Sequence, residues 1–308
     1  LITLLERGKP ESDHRVKFGR LGDRELPKSL DDLEGIMEVP QNQLDPRRKW
    51  LTYFLKGSVD SDVLDKLVPL SAIASVDRGI ATGYNEFFTL SEDTARRFSI
   101  PKQYLKPVIS KASHCPYYDF TSEDWEELRR RGERVYLLYI LSDNPPESLK
   151  PYLYYGVKLG VHRRYIPSHR RRWYMVDKRE PSPILALVFS RERLRFVYNK
   201  AGVLNLTPFH CVYPRFRDEL KLKALLAYLN SNICKEIATY YGRIYGTGLR
   251  KLEPGDLENL PVIDVRNLDH EDLRILASLF DELCEVSRRN PEKEEDVKKK
   301  IDNAIKDI

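Results

Sequence analysis

The hydrophobic and polar positions follow a helical period most clearly in the last third of the chain. Between positions 219 and 241 the apolar side chains recur at three- and four-residue spacing, at Leu222, Leu225, Leu226, Leu229, Ile233 and Ile237. This spacing predicts one long amphipathic helix. Residues 268–287 and 292–308 predict two further helices, and the last is so highly charged that we expect it to be solvated.

Helix-start and helix-stop residues predict shorter helices in the first half of the chain. Ser91 is a candidate N-cap for the segment SEDTARRF, although no full capping box follows it. In TSEDWEELRRRG, either Thr121 or Ser122 caps a helix with acids in its first turn and arginines in its last, and Gly132 ends it. Helical spacing also occurs at residues 51–67 and 149–159.

Runs of β-branched and aromatic residues predict the strands. The segment IASVDRGIATGYNEFFTL, residues 73–90, is interpreted as a strand, a tight glycine loop and a second strand, and RVYLLYI, residues 134–140, as a buried strand. Further candidates are LITLLE at 1–6, RRWYMVD at 171–177, ILALVFSRE at 184–192 and LRFVYNKAGVLNL at 194–206. This order of elements predicts a mixed, β-rich α+β fold with a C-terminal helical segment, because helices and strands do not alternate regularly.

The composition is that of an ordinary globular protein, with 41% hydrophobic and 32% charged residues in a chain of 308 residues that is long enough for about two domains. The longest apolar run, VYLLYIL, is far shorter than the roughly 20 residues of a membrane span. The N-terminus lacks the pattern of a signal peptide. We therefore expect a cytoplasmic protein, and the initial leucine indicates a fragment of a longer one.

The cysteines predict neither a disulfide framework nor a metal site. They lie far apart with no CxxC pair, at Cys115, Cys211, Cys234 and Cys284. Two of them follow His114 and His210, but structural zinc sites use more closely spaced pairs. Buried thiols are the favoured interpretation, and no bound metal is expected.

Positive charge is concentrated in one short block. The net charge is only +5, but the segment HRRYIPSHRRRW, residues 162–173, contains no acid and five arginines, namely Arg163, Arg164, Arg170, Arg171 and Arg172. If they flank a β-turn around Pro167, these residues can contact phosphates, and one or two can pair with a guanine edge. The alternative is a solvated basic surface beside a core strand that starts at Trp173.

Two glycine-rich segments are further candidates for contact with a polyanion. In DRGIATGYN the polar side chains are Arg78, Thr82 and Asn85, and asparagine can pair with adenine; the alternative is a plain hairpin. In YYGRIYGTGLRK, residues 240–251, the glycines allow close backbone approach beside Arg243, Tyr245, Arg250 and Lys251. The alternative there is a helix end and turn with packed tyrosines.

The segment SDNPPES, residues 142–148, spells most of an amino-methylation motif without its chemistry. In that chemistry, an Asp or Asn side chain and the first proline carbonyl accept hydrogen bonds from the target amino group, and an aromatic residue stacks on the flipped base. Here the stacking position is Glu147, and no glycine-rich strand-to-helix turn precedes the segment. It is therefore interpreted as a turn before a helix that starts at Glu147 or Ser148.

Three segments taken together resemble one known family. VDRGIATGYNEFFTL at 76–90, RRWYMVD at 171–177, and the stretch at 225–265 that contains GLRKLEPGDLENLPV resemble the target-recognition region of site-specific DNA adenine-N6 methyltransferases from restriction–modification systems. The resemblance implies three parts. Residues 1–50 would be the end of a catalytic methylase domain and a linker, residues 51–265 the DNA target-recognition domain, and residues 266–308 a helical tail.

The resemblance implies sequence-specific recognition of double-stranded DNA that positions the duplex for base flipping, without catalysis by this chain alone. S-adenosylmethionine is expected for the parent enzyme, in an upstream or separate catalytic domain, and no cofactor is expected in this chain. Two alternatives remain open. One is a restriction endonuclease or divergent methylase that is active in its own right, and the other is an assembly module that docks onto a separate methylase.

Overall fold

The computed structural model describes residues 14–20, 34–45, 50, 52–53, 59–190, 194–244 and 250–308, which belong to two compact units, Leu1–Ser61 and Asp62–Ile308. In the first unit, strands β1 (Arg15–Arg20) and β2 (Glu34–Pro40) pair in antiparallel fashion. Phe18 stacks on Tyr53 with 5.4 Å between the ring centroids. The strand predicted at 1–6 lies outside the described residues, as do residues 51 and 54–58 of the helix predicted at 51–67. In the described part of that segment the α-helix is limited to Ser61–Asp65, and a strand begins at Leu67, so the prediction of one helix was wrong there.

The remaining elements, in chain order, define the fold. The strands are β3 (Leu67–Pro69), β4 (Ala74–Arg78), β5 (Thr89–Leu90), β6 (Leu105–Ile109), β7 (Asp119–Phe120), β8 (Tyr136–Leu138), β9 (Ile184–Leu187), β10 (Phe189–Ser190), β11 (Phe196–Asn199), β12 (Leu204–Asn205), β13 (Phe209–Pro214), β14 (Arg243–Ile244), β15 (Arg250–Lys251) and β16 (Pro261–Ile263). The helices are α1 (Ser61–Asp65), α2 (Asn85–Phe88), α3 (Glu92–Arg97), α4 (Ser122–Arg130), α5 (Lys150–Lys158), α6 (Tyr165–Ser168), α7 (Glu219–Leu229), α8 (Asn232–Tyr241), α9 (Pro254–Glu258), α10 (His270–Arg289) and α11 (Glu294–Asp307).

Two mixed sheets form the centre of the second unit. A five-stranded sheet has the order β4-β13-β9-β11-β7, and a four-stranded sheet has the order β12-β6-β8-β5. Most neighbours are antiparallel, but β11 pairs in parallel with β7, and β12 with β6. The predicted α+β class is therefore confirmed. None of the described helices is long and apolar enough to cross a membrane.

An aromatic core fixes α2 and α5 against the four-stranded sheet. Phe87 stacks on Tyr152 with 4.7 Å between the ring centroids, and the Tyr152 hydroxyl donates to the Phe87 carbonyl at 2.7 Å. Gly156 lies over the same cluster, where an added Cβ would come within 2.6 Å of both Phe87 and Trp173. Only glycine fits this position of the helix, because well-packed interiors have no space for an extra methyl group.

The helix predicted across 219–241 is broken into α7 and α8. Asn230 ends α7, and the Ser231 side chain caps α8 by accepting from the Cys234 amide at 3.0 Å. The Asn230 side chain accepts from the Phe196 amide at 2.9 Å and donates to the Phe196 carbonyl at 2.8 Å. The prediction of one helix was wrong because these bonds to a strand terminate α7, whereas the apolar spacing continues through α8.

The C-terminal helices belong to the compact core rather than to a solvated appendage. Helix α11 buries Val297, Ile301 and Ile305, so the predicted solvation of this helix was wrong for one of its faces. Arg288 of α10 donates to Asp119 at 2.7 Å and to Asp124 at 2.6 Å. Hydrogen bonds to Asp124 and Asp119 raise the pKa of Arg288, so the guanidinium stays charged and ties α10 to β7 and α4.

Two of the predicted strands are not observed at the positions where they were predicted. Residues 171–177 form turns and extended backbone without a strand partner in the described structure, and residues 85–88 form the single-turn helix α2 before the short strand β5. The local capping predictions are confirmed. Ser91 accepts from the Thr94 amide, and Thr121 forms a capping box with Asp124.

The buried histidines and thiols are held in their neutral forms. The thiols of Cys115, Cys211, Cys234 and Cys284 are all buried, and burial raises the pKa of Cys115 to about 12. The His210 Nε2–H donates to the Leu252 carbonyl at 2.9 Å, and its buried Nδ1 has no partner. The His114 Nε2 lies 3.2 Å from Glu133, and its Nδ1 is likewise buried without a partner. Burial lowers the pKa of both histidines.

Because His114 and His210 are buried in their neutral forms, we expect the protein to lose stability on mild acidification. Because their pKa values are lower in the folded chain than the ordinary value of about 6.5, the unfolded chain binds more protons below that pH. We expect the free energy of unfolding, from urea titration, to be about 1–2 kcal/mol lower at pH 5.5 than at pH 7.5. His210→Gln keeps a donor for Leu252 and should remove about half of this difference. An undiminished difference in that variant would contradict the assignment.

Candidate nucleic-acid interface

The glycine loop after β4 is held by contacts on both sides. Gly79 passes so close to the β12–β13 connection that an added Cβ would lie 2.3 Å from the Leu206 carbonyl oxygen. The Thr82 hydroxyl is buried and donates to Asn85 Oδ1 at 2.5 Å. Gly83 has a φ of +79°, and an added Cβ would lie 2.6 Å from the Pro167 side chain. The loop is therefore a fixed structure rather than the plain hairpin that was the alternative.

The arginine block folds as two short helical turns rather than as a β-turn. A 3₁₀ turn at Val161–Arg163 follows Gly160, whose φ of 71° allows the chain to reverse direction, and α6 begins after Arg164. The expected β-turn around Pro167 was therefore wrong, since this proline lies within α6, where it is buried against Gly83. The glycine loop and the arginine block, which are far apart in sequence, thus form one surface.

Arg170 connects the two segments from the inside. Its guanidinium donates to the Ala81 carbonyl at 2.5 Å and lies 5.3 Å from the centroid of the Phe88 ring. Burial lowers the pKa of Arg170, while the charge of Asp177 acts to raise it. The side chain is half-buried with its donors turned inward, so Arg170 positions the loop.

Arg171 and Arg172 lie beside an acid, although both side chains remain more than half exposed. Arg171 forms an ion pair with one Asp143 carboxylate oxygen, and Arg172 Nε lies 3.4 Å from the other. The Tyr174 hydroxyl also donates to the Asp143 carbonyl at 2.7 Å. Asp143 belongs to the segment SDNPPES, residues 142–148, which was predicted to be a turn before a helix. This prediction is confirmed, because a 3₁₀ turn at Glu147–Leu149 leads into α5. The Asp143 carboxylate is thus engaged by the arginine block.

Arg163 and Arg164 differ from the other exposed arginines of the block in their partners. Both side chains are exposed, and no acid within the described ranges forms an ion pair with either of them. The Arg164 guanidinium lies 3.7 Å from the centroid of the Tyr84 ring, a cation–π contact that orients it. A hydrogen bond to Glu86 raises the pKa of Tyr84, so the ring stays neutral under the guanidinium.

An open pocket of about 440 Å³ lies at this junction. It is lined by loop residues 81–86 together with Arg78, Ile166 and Thr207. Three predicted residues, Arg78, Thr82 and Asn85, therefore meet around one concavity, and Ile166 of α6 closes its other side. Since the Thr82 hydroxyl already donates to Asn85 Oδ1, the Asn85 amide nitrogen is the group oriented for further contacts.

The second predicted segment is only partly described. Tyr245 and the side chains of Arg243 and Arg250 lie outside the described residues, so their assignment stays a prediction. Lys251 pairs with Glu253 at 2.5 Å, which neutralises its charge. Of the four candidate side chains in this segment, the structure therefore describes Lys251 alone.

The sequence interpretation missed the aromatic members of the surface. Tyr84 supports Arg164, and Tyr165 is 79% exposed between Arg164 and Ile166. The available signal was the aromatic and apolar pair YI inside the basic segment RRYIPSHRRR. Aromatic residues interleaved with arginines are typical of nucleic-acid interfaces, where rings stack on bases.

Replacing Arg170 tests whether this residue acts by positioning the glycine loop or only by contributing positive charge. We expect Arg170→Gln to lower the free energy of unfolding by about 2 kcal/mol, because the Ala81 carbonyl loses a charged donor in a half-buried site. The measurement is urea denaturation at pH 7.5. Arg163→Gln removes the same charge at an exposed position and should change stability by less than about 0.5 kcal/mol. Equal losses in the two variants would refute the positioning role.

Comparison with known proteins identifies the domain family of the chain. The family model for the C-terminal domain of Type II methyltransferase M.Eco57I matches residues 47–305. The Type II methyltransferase M.AccI of Acinetobacter calcoaceticus is 34% identical over 303 residues, which is 95% of this chain and 55% of that protein. M.XamI of Xanthomonas campestris pv. amaranthicola is 26% identical over 242 residues, covering 78% and 44%. The chain spans about half the length of these curated relatives.

Solved structures share the fold at low sequence identity. The type IIG restriction endonuclease BpuSI is similar with a TM-score of 0.51 and 14% identity, over 88% of this chain and 35% of that protein. The type IIL restriction–modification enzyme MmeI, solved in complex with DNA, is similar with a TM-score of 0.50 and 11% identity, over 78% and 33%. The resemblance inferred from the sequence motifs is confirmed: the chain belongs to the family of the C-terminal domain of Type II methyltransferase M.Eco57I.

Proposed function

We propose that this chain is the double-stranded DNA recognition part of a restriction–modification methyltransferase. The observation that carries the proposal is the junction of the glycine loop and α6. There, the exposed Arg164 contacts Tyr84, which lines an open pocket of mixed polar and apolar character, and Arg163 directly precedes it. Neither arginine has an acid partner in the described structure, and the bond from Arg170 to the Ala81 carbonyl holds the loop in place. Arginine side chains of this kind neutralise phosphates, and polar groups on a fixed loop can read base edges.

The relatives support the same partner. The curated relatives are Type II methyltransferases, and one structural neighbour was solved with DNA. In this proposal the chain reads a target site and positions the duplex so that an adenine can be rotated out for methylation at N6. The chemistry belongs to a catalytic domain outside this chain, which is upstream or separate, cytoplasmic and supplied with S-adenosylmethionine.

The DNPPES segment does not fit a catalytic role. Glu147, which occupies the base-stacking position, pairs with Lys150. A carboxylate in an ion pair offers no flat apolar face that could stack on an extruded base. We therefore assign no methylation step to the described residues, and no S-adenosylmethionine site among them.

The test is a titration of labelled duplex DNA with the chain between 50 and 200 mM salt. We expect a dissociation constant on the order of 10⁻⁶ M at the lower salt, with log K falling steeply and linearly with log salt. Calorimetry with S-adenosylmethionine on the same sample should give no binding heat. Salt-independent or absent duplex binding would overturn the proposal. Cofactor binding by the chain alone would favour an enzyme active in its own right.

A further inference from the structure

Tyr165 is the most exposed large hydrophobic side chain in the described structure, at 79%. It occupies the first position of α6, directly after Arg163 and Arg164. Most aromatic rings of this chain are packed in the core or partly covered. A ring this exposed beside two arginines is suited to contact with a nucleic acid, in which aromatic side chains stack on bases.

The ring stands on a backbone that is fixed from three directions. The Ser168 hydroxyl donates to the Tyr165 carbonyl at 2.9 Å, and His169 Nδ1 donates to the same oxygen at 2.6 Å. The His169 ring lies 4.5 Å from the Tyr165 ring, centroid to centroid, and supports it from one side. Pro167, two residues on, is buried against Gly83. The ring is therefore presented by a rigid turn and keeps little freedom to fold back.

The charges beside this ring identify what it contacts. Arg163 and Arg164 carry no acid partner among the described residues, so this turn attracts a polyanion rather than an acidic or apolar protein surface alone. A ring beside phosphate-binding side chains can reach the bases, since the phosphates lie on the outside of the duplex. Apolar side chains that enter between neighbouring base pairs unstack and kink DNA.

We propose that Tyr165 is a wedge that enters the base stack of the bound duplex and separates two neighbouring bases, with His169 as its support. This role rests on the proposed function and adds to it: Arg163 and Arg164 hold the backbone, and Tyr165 weakens the stack beside the target. Opening the stack on the recognition side lowers the free energy needed to rotate a base out of the duplex.

The test compares two duplexes of one sequence, of which one carries a single abasic site. A wedge binds the abasic duplex about 10-fold more tightly, because the gap accepts the ring without unstacking. We expect Tyr165→Ala to bring this ratio close to one and Tyr165→Phe to keep it, because the ring and not the hydroxyl carries the effect. The salt slope should stay unchanged in both variants, since the phosphate contacts remain.

Tyr154→Ala is the matched control, because Tyr154 is a 61% exposed tyrosine of α5 outside the arginine block. It should keep the preference for the abasic duplex. A wild-type chain with no such preference would overturn the wedge, and so would a preference that survives Tyr165→Ala. A chain that binds neither duplex overturns the proposed function itself, so the two failures are distinguishable.

Discussion

Replacing Arg163 and Arg164 together by alanine should lower the affinity for duplex DNA about 50-fold at 0.1 M salt. Each phosphate contact contributes about 0.9 to the slope of log K against log salt, and hence about 0.9 decades at that salt concentration. The slope should therefore become shallower by about 1.8. The measurement is fluorescence anisotropy of a labelled duplex across a salt series. We expect unchanged thermal stability, because both side chains are exposed.

The chain contains a matched control in the arginine run of α4 and the residue after it. Arg130 and Arg131 are as exposed as the tested pair, but both form ion pairs with Glu127. The double variant Arg130→Ala, Arg131→Ala removes the same charge and should change the slope by less than about 0.5. Equal slopes in the two double variants would show that net charge, rather than this surface, governs binding.

The largest loss of stability is expected from Asn230→Asp. The Asn230 amide donates to the Phe196 carbonyl at 2.8 Å and to the Leu226 carbonyl at 2.9 Å, and the residue is 4% exposed. Aspartate has nearly the same shape but no donors, so two buried carbonyl oxygens would lose their hydrogen bonds and face a carboxylate oxygen. We expect the free energy of unfolding at pH 7.5 to fall by about 3–5 kcal/mol in urea titration.

Asn259→Asp separates this effect from the loss of any helix-ending asparagine. Asn259 ends α9 and donates to the Gly255 carbonyl at 2.7 Å, but it is exposed. Water can replace its bond, so the expected loss is below about 1 kcal/mol. If the two substitutions prove equally costly, the buried bonds between α7 and β11 do not hold these elements together.

Local signals in the sequence predicted helix ends correctly where the partner atoms lie within one turn. Ser91 and Thr121 bind amides three residues ahead, so the caps can be predicted without any knowledge of the fold. The break between α7 and α8 could not be predicted in this way. It depends on Asn230 reaching Phe196, which is 34 residues away, while the apolar spacing on both sides still satisfies a single helix.

The arginine block shows the same limit at the site. Composition identified five arginines as candidates but could not predict which of them are paired, because their partners are distant in the sequence. Arg170 meets Ala81, 89 residues earlier, and Arg171 meets Asp143. Arg163 and Arg164 are exposed and have no acid partner among the described residues. A strand was predicted at 171–177 from residue type alone, but none of the described strands pairs with these residues.

The glycine loop was predicted as a candidate site from its polar residues, whereas the segments that pack against it could not be predicted. Gly79 and Gly83 require close contacts with the β12–β13 connection and with α6, which come from later parts of the chain. The pocket exists because these three segments converge. Arg78, Thr82 and Asn85 were therefore identified from the sequence, and the wall formed by Ile166 was not.

The residues of this surface fall into two groups that differ in how freely they can change over evolution. Gly83, Pro167 and Arg170 hold the backbone and point into the protein, so a substitution there disturbs the fold. Side chains such as Arg163 and Tyr165 project outward and can be exchanged without moving that backbone. Under the proposed function, descendants of one ancestral chain acquire new target sites by replacing a few outward residues while they inherit the same backbone.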